Sequence, residues 1–258
     1  MNDATVHLLR CLTSALVLIT SYPVSARPIV AVIDSGIART PALAAVLKSE
    51  YDMAATPARA PFKPQYDHGT MVATILNHAA GGQVDIISLR IDDMHGCPVG
   101  DLPPCQSSPK PVADAIDRAV QLGANVINLS LALANDPLIV AAVSRATHEG
   151  VTVVMAAGNK GRDYPDNVAM ARSGFPRAVL VGAVGADGKP WSGTNRPEPH
   201  ETEYTYVWQP GVDVPTVNAS GAEVRATGTS FAVPVEAAHR ALAEGSAIAE
   251  MASDSSTG

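Results

Sequence analysis

The stretch RPIVAVID, residues 27–34, is a run of mostly apolar residues that closes on an acid. An unbroken apolar run, as opposed to strict alternation with polar residues, is typical of a parallel strand buried on both faces. Functional sites of parallel sheets form just beyond the carboxyl ends of the strands. The stretch therefore predicts a buried parallel strand and marks its last residue, Asp34, as a candidate functional residue.

The rest of the chain alternates similar apolar runs with helical patterns. Further strands are predicted at 84–91, 125–131, 151–159 and 178–184, with shorter extended pieces at 204–208 and 212–218. Helices are predicted at 40–49, 68–80, 111–123, 136–150 and 229–244, several with Pro at the start or Gly at the end. Strands alternating with helices imply right-handed βαβ units. We therefore predict a single α/β domain over 27–245, a doubly wound, mostly parallel sheet with helices on both faces.

Composition limits the classes of function. The chain has 258 residues, enough for one large domain with a substantial core, and a formal net charge of -7. It has no basic run or stripe that would follow a phosphate backbone, which argues against nucleic-acid binding. Aromatic residues make up only 4% of the chain, so the core is expected to be aliphatic.

Both ends of the chain differ from the middle. Residues 1–26 contain a short apolar run that closes on the small residues Ser25 and Ala26, which is typical of a cleavable signal peptide. An uncleaved anchor or a buried N-terminal helix is the alternative. The signal predicts a secreted or periplasmic protein with no membrane association after cleavage. At the other end, residues 246–258 are predicted to be a disordered tail.

Two cysteines, Cys97 and Cys105, close a short loop rich in Pro and Gly. In an exported protein this arrangement predicts a local disulfide bond. The alternative is a zinc site that also uses His95, but the loop lacks a fourth ligand and Cys-x-x-Cys spacing. We therefore predict the disulfide and no metal site.

Four polar residues stand at predicted strand ends or helix starts: Asp34 in VIDSGI, His68 in DHGTMVA, Asn159 in MAAGNKG and Ser230 in GTSFAVP. A hydroxyl nucleophile needs a base within hydrogen-bond reach, and that base needs a carboxylate to fix its tautomer. An acyl-transfer intermediate also needs donors for its oxyanion, which an Asn side chain and a backbone N–H at a helix start supply. The four residues therefore fit nucleophilic acyl transfer.

From Pro28 to Ala243 the chain resembles the subtilisin-like serine proteases, or subtilases, which have their catalytic residues in the order Asp, His, Ser. The segments NVINLSL and PGVDV between the motifs extend the resemblance. It implies Ser230 as nucleophile, His68 as general base and acid, Asp34 as the orienting carboxylate and Asn159 as oxyanion donor. It also implies a peptide or protein substrate and no cofactor. The implied groove is lined by Ser130, Leu131, Ala132, Leu133, Ala157 and Gly158.

The sequence departs from the family pattern in three places. The first core strand follows almost directly on residue 26, without the usual pro-domain, so a separate folding or inhibitory partner is expected if the chain does not fold unaided. The usual calcium loop after the His68 helix is absent from the short segment TILNHAAGGQVDIISL, which predicts no tight calcium ion there. Ala132 and Leu133 replace common glycines, and their side chains are expected to narrow the groove.

Other readings of these residues remain open at this point. The alternative to catalysis for each of the four polar residues is a local structural role as a turn residue or helix cap. In the last helix the cap would be Thr229 or Ser230. Gly182, Gly185 and Gly188 suggest a nucleotide loop, although they do not lie between a strand and a helix. A protein of the subtilase fold that binds a partner without turning it over is the alternative from another functional class.

Overall fold

The structure is a computed structural model that describes residues 27–99, 104–133, 135–199 and 203–255, with side chains as far as residue 247. A parallel sheet of seven strands forms its centre, in the order β2-β3-β1-β4-β5-β6-β7. The strands are β1 Ile29–Asp34, β2 Leu47–Asp52, β3 Asp85–Arg90, β4 Val126–Leu129, β5 Thr152–Ala156, β6 Ala178–Val184 and β7 Thr205–Pro210. The predicted α/β fold with a parallel sheet is confirmed.

Helices cover both faces of this sheet. They are α1 His68–Ala79, α2 Lys110–Gln121, α3 Pro137–His148, α4 Val168–Ser173 and α5 Thr229–Ser255. Alternate residues of β1 point to opposite faces, so Val30 and Val32 pack in one core with α1 and α5. Ala31 and Ile33 pack in the other core with α2, α3 and α4. The unbroken apolar run of β1 thus reflects burial on both faces, as predicted.

A small antiparallel hairpin, β8 Val214–Val217 and β9 Glu223–Ala226, lies beside the start of α1. The Thr216 hydroxyl donates to the Met71 carbonyl at 2.7 Å, and the Ala219 N–H donates to Asp67 Oδ1 at 3.0 Å. These bonds fix the hairpin against the first turn of α1. They therefore help to hold the residue at which that helix begins, His68.

The helix predicted at 40–49 is wrong. Residues 41–46 form turns, and β2 follows as an edge strand paired with β3. The Ile86 N–H donates to the Val46 carbonyl at 2.8 Å, so pairing with a buried strand begins where the helix was expected to continue. Pairing with a neighbouring strand outweighs the weak local preference for helix.

The last helix is longer than the sequence analysis predicted. Helix α5 extends to Ser255, whereas 246–258 was predicted as a disordered tail. Residues 244–252 include three Ala, two Glu and one Met, which have high intrinsic helix propensity. The polar residues at the very end of the chain led to the prediction of disorder in spite of that propensity. The predicted start of the tail at residue 246 is therefore wrong. Residues 256–258 lie outside the described part of the chain.

The predicted signal peptide, residues 1–26, lies outside the described residues. None of the helices in the part of the chain that the structure describes is long and apolar enough to cross a membrane.

A buried charge network anchors the segment that leads from β2 to His68. Arg59 Nε donates to Asp52 at 2.7 Å and Arg59 Nη1 donates to Asp92 at 3.0 Å, while Arg90 Nε also donates to Asp92 at 2.7 Å. Burial alone would raise the pKa of Asp52, but the hydrogen bonds from Arg59 hold that pKa at about 2. The Arg90 guanidinium further donates to the Lys63 carbonyl at 3.1 Å. The network therefore fixes this segment to the carboxyl ends of β2 and β3.

Candidate active site

Asp34 and His68 form a close, mostly buried pair. Asp34 is the last residue of β1 and its side chain is 1% exposed, while His68 is the first residue of α1 and is 18% exposed. His68 Nδ1 lies 2.9 Å from both carboxylate oxygens of Asp34. Because Nδ1 must donate to a carboxylate, neutral His68 carries its proton on Nδ1 and has Nε2 as the acceptor.

The carboxylate itself is held by the turn that follows β1. Asp34 Oδ1 accepts the Ser35 N–H at 2.7 Å and the Ser35 hydroxyl at 3.2 Å. A Cβ on Gly69 would lie 2.3 Å from the Gly36 carbonyl oxygen, so only glycine lets the first turn of α1 approach this closely. The close approach brings His68 onto Asp34.

The pKa of His68 reflects this pairing. Burial alone would lower the pKa of His68, but the negative charge of Asp34 and the hydrogen bond to it outweigh burial and raise the pKa above its ordinary value of 6.5. Protonated His68 is thus stabilised in the folded protein. This contribution to stability is complete below pH 6.5 and is lost as the pH rises through the pKa of the folded state.

If His68 acts as the base that the sequence predicts, the activity should have the opposite pH dependence. Because only neutral His68 accepts a proton, kcat/KM for an uncharged peptide should fall as the pH decreases through the raised pKa, with a midpoint above 6.5. Asp34→Asn should move this midpoint to lower pH and reduce kcat. A pH–rate profile of both proteins measures the effect. A midpoint at or below 6.5 in the unmodified protein would contradict the pairing.

Ser230 lies in the first turn of α5, and the residue after it in that turn contacts His68. Its neighbour Phe231 stacks at a tilt on the His68 ring, with 5.5 Å between the ring centroids. Ser230 is half-buried, and no hydrogen bond joins it to His68 among the contacts of the described residues. Backbone N–H groups in the first turn of a helix have no carbonyl partner within the helix, so the Ser230 N–H is suited to bind an anion.

Asn159 follows β5 and is oriented by Thr229, the first residue of α5. The Thr229 N–H and hydroxyl donate to Asn159 Oδ1 at 2.9 Å and 2.8 Å. Because Oδ1 accepts both bonds, the amide orientation is defined and Nδ2 is the group left to donate elsewhere. Thr229 also accepts the Gly158 N–H at 3.2 Å. Its hydroxyl therefore links the segment before Asn159 to the residue before Ser230.

This role of Thr229 was not predicted from the sequence. The hydroxyl was expected only as a helix cap, whereas it bonds to residues 158 and 159, which are 71 and 70 positions away in the chain. Its position next to Ser230 was the one local signal. The partners become visible only when β5 and α5 are assembled.

The two predicted groove segments are held to each other by Asn167. Its Nδ2 donates to the Leu131 carbonyl at 2.7 Å and to the Ala156 carbonyl at 2.9 Å, and its Oδ1 accepts the Leu133 N–H at 2.9 Å. Asn167 itself is 1% exposed. The segment after β4 therefore runs beside the segment after β5, at the same edge of the sheet as Asp34.

The side chains of the segment after β4 point in different directions. Leu131 and Leu133 pack in the core with α2 and α3, and Ser130 is buried with its hydroxyl accepting from Asn128 at 3.0 Å. Ala132 is exposed. Of the two side chains expected to narrow the groove, that of Leu133 thus packs in the core and only that of Ala132 is exposed. In the segment after β5, Ala157 and Gly158 are buried.

Cys97 and Cys105 are joined by a disulfide bond, as predicted. Both sulfur atoms are used in that bond, so the alternative zinc site has lost its thiolate ligands. His95 instead donates through its backbone N–H to Asp93 Oδ1 at 2.9 Å, and its Nδ1 lies 3.1 Å from the same oxygen.

Comparison with known proteins gives the family. The model of the subtilase family, peptidase S8, matches residues 25–253. The chain belongs to the subtilase family. It is 30% identical over 226 residues to a thermostable alkaline protease of Halalkalibacterium halodurans, a match that covers 83% of this chain and 55% of that protein. This chain thus corresponds to about half the length of that relative.

Solved structures of subtilases share the fold. A cold-adapted subtilisin-like serine proteinase superimposes with a TM-score of 0.68 at 22% identity, covering 83% of this chain and 74% of that one. A mutant of the protease domain of PatA gives a TM-score of 0.67 at 26% identity, covering 83% and 78%. The parallel sheet with Asp34 at the end of β1 is therefore a subtilase sheet.

Proposed function

We propose that this subtilase is a serine endopeptidase that hydrolyses peptide bonds of peptides or proteins through an acyl-enzyme. Asp34, His68 and Ser230 act as the catalytic triad and Asn159 as an oxyanion donor. The observation that carries the proposal is the His68–Asp34 pair, with 2.9 Å between Nδ1 and the carboxylate, which leaves Nε2 to accept a proton beside the helix turn that carries Ser230. Family membership and the relatives named as proteases support it.

In the proposed reaction, Ser230 Oγ attacks the carbonyl carbon of the scissile peptide bond and His68 Nε2 accepts the hydroxyl proton. The oxyanion receives hydrogen bonds from Asn159 Nδ2 and the Ser230 N–H. His68 then donates the proton to the leaving amine, the C–N bond breaks, and an ester to Ser230 remains. Water, activated by the same imidazole, hydrolyses this ester. Asp34 accepts the hydrogen bond from Nδ1 throughout and stabilises the imidazolium.

One observation favours a second candidate, a subtilase-fold protein that binds a peptide without efficient turnover. Among the described contacts, no hydrogen bond connects the His68 and Ser230 side chains. Hydrogen bonds between a catalytic base and a nucleophile are often long without substrate and tighten on binding. The missing bond is therefore compatible with catalysis, and the endopeptidase stays the better supported proposal.

Labelling with a fluorophosphonate probe should separate the two candidates. The probe reacts with a serine only when a neighbouring base activates the hydroxyl, so the endopeptidase should become labelled at Ser230 in stoichiometric amount. Peptide mapping locates the label, and His68→Ala serves as the control that retains Ser230 but loses the base. A folded protein that stays unlabelled under conditions that label a known serine protease would favour the binding protein.

The proposed activity needs no cofactor, since every step uses groups of the chain and water. We also propose that the protein acts outside the cytoplasm, as the predicted signal peptide at 1–26 indicates. The disulfide between Cys97 and Cys105 supports this location, because such bonds persist in oxidising compartments.

A further inference from the structure

Glu50 in β2 is a carboxylate that accepts hydrogen bonds from three different segments of the chain. Its Oε2 accepts the Ile37 N–H and the Ser88 hydroxyl, and its Oε1 accepts the Phe62 N–H, each at 2.8 Å. In the part of the chain that the structure describes, no ion pair includes Glu50. Hydrogen bonds to a charged acceptor are roughly twice as strong as those between neutral groups. The carboxylate is therefore suited to hold these segments in place.

The first of these segments is the turn after β1, which holds the Asp34 carboxylate. Ile37 belongs to this turn, and its N–H is bound by Glu50 from the side of β2. On its other side the turn is bound to the first turn of α1, where the Ala38 N–H donates to Thr70 Oγ1 at 2.9 Å. The turn is thus held between β2 and α1, and Glu50 provides the hydrogen bond to β2.

The second segment is the one that leads from β2 to His68. Phe62 lies in this segment and has a φ of 60°. A left-handed backbone is unfavourable for a bulky residue and persists only where its surroundings stabilise it. The bond from the Phe62 N–H to Glu50 is one such contact, and the Arg39 guanidinium stacks over the Phe62 ring at 4.3 Å. One carboxylate therefore holds both the approach to His68 and the turn after Asp34.

We propose that Glu50 is a positioning residue that sets the geometry of the Asp34–His68 pair. This inference rests on the proposed function, because the geometry of the pair affects turnover only if His68 is the base. Glu50 binds both segments at once, so displacing its carboxylate should shift Asp34 relative to His68 and lengthen the 2.9 Å contact between them. Strand β2 is separated from β1 by β3, whereas the groove segments follow β4 and β5. Glu50 should therefore affect catalysis and not substrate binding.

Glu50→Asp tests the proposal because it keeps the charge but shortens the side chain by one methylene group. The carboxylate should no longer reach all its donors, and kcat should fall by about 10- to 100-fold with little change in KM, as expected when reacting groups are displaced by about 1 Å. The pKa of His68 should also fall toward 6.5, because the charge of Asp34 that raises this pKa lies further away. Steady-state kinetics and a proton NMR titration of His68 measure these effects, and a thermal melt checks the fold.

Glu244→Asp is the matched control, the same substitution at a carboxylate on the opposite edge of the sheet. Glu244 Oε1 accepts the hydroxyl of Thr152, the first residue of β5, at 2.8 Å. The control should change the melting temperature but neither kcat nor the pKa of His68. Glu50→Gln keeps the length of the side chain and removes its charge. If the pKa of His68 responded to Glu50→Gln but not to Glu50→Asp, only the charge of Glu50 would act, which overturns the inference.

Ser88→Ala is a milder variant that keeps the test decisive if Glu50→Asp does not fold. It removes one donor to Glu50 Oε2 and leaves both backbone bonds to the carboxylate. The value of kcat should fall by about 2- to 10-fold, the size expected for one hydrogen bond, and the pKa of His68 should move toward 6.5 as well. No change in either quantity overturns the inference.

The NMR titration separates failure of this inference from failure of the proposed function, because it needs no turnover. If the unmodified protein hydrolyses no peptide but the pKa of His68 falls in Glu50→Asp, Glu50 positions the pair and the endopeptidase proposal fails. If peptides are hydrolysed and folded Glu50→Asp changes neither kcat nor the pKa of His68, the endopeptidase proposal stands and Glu50 is a structural residue only.

Discussion

Ser230→Ala should reduce kcat for peptide hydrolysis by about 10⁶-fold, the size of loss found when subtilisin loses its nucleophile. The hydroxyl is the only group that the substitution removes, and no hydrogen bond of the described residues depends on it. Alanine also favours helix in the first turn of α5. The melting temperature should therefore stay close to that of the unmodified protein. Steady-state kinetics and a thermal melt of the same preparation measure both effects.

The matched control is Ser246→Ala, the same substitution at an exposed position of the same helix. It should leave kcat unchanged, since Ser246 bonds only to the Leu242 carbonyl one turn earlier, at 3.0 Å. If Ser230→Ala kept activity within tenfold of the unmodified protein, the nucleophile would be another residue. Loss of activity together with a large fall in melting temperature would point to a structural role for Ser230.

Much of the fold follows from local pattern because each signal is carried by neighbours in the chain. The run at 27–34 is unbroken because both faces of β1 are buried, and this property is visible in one segment. A parallel sheet then brings the ends of its strands to one edge. Asp34 at the end of β1 and Asn159 just after β5 could therefore be expected on the same side of the sheet.

Elements held by distant partners could not be predicted in this way. Strand β2, LKSEYD, has no apolar run, and its place at the edge depends on pairing with β3. Glu50 in β2 accepts the Ile37 N–H and the Phe62 N–H, each at 2.8 Å. These contacts join three segments that are separate in the sequence, so the local preference for helix at 40–49 was misleading.

The directions in which individual side chains point also could not be predicted from the sequence. Leu133 follows a strand and could have faced the groove or the core, and the bond from its N–H to Asn167 fixes it toward the core.

The second large effect is expected at Asn159. Asn159→Ala should lower kcat by about 10²- to 10³-fold with little change in KM, as removal of the corresponding side-chain donor does in subtilisin. The oxyanion exists only in the transition state, so loss of its donor leaves substrate binding nearly intact. Kinetics with one peptide, together with fluorophosphonate labelling that still reaches Ser230, measure the effect. A rise in KM at constant kcat would show that Asn159 binds substrate instead.

Thr229 provides the sharper test, because in the proposed mechanism it acts on the oxyanion through Asn159. Thr229→Val keeps the shape of the side chain but removes one of the two donors to Asn159 Oδ1 and the acceptor of the Gly158 N–H. It should lower kcat by about 10- to 100-fold, as expected for the loss of these two hydrogen bonds, whereas Thr229→Ser should retain most of the activity. When Thr229→Val is added to Asn159→Ala, kcat should fall little further, because the effects of substitutions at residues that act as a unit are not additive. Additive losses in the double variant would mean that Thr229 acts independently of Asn159, for instance by shifting Ser230 itself.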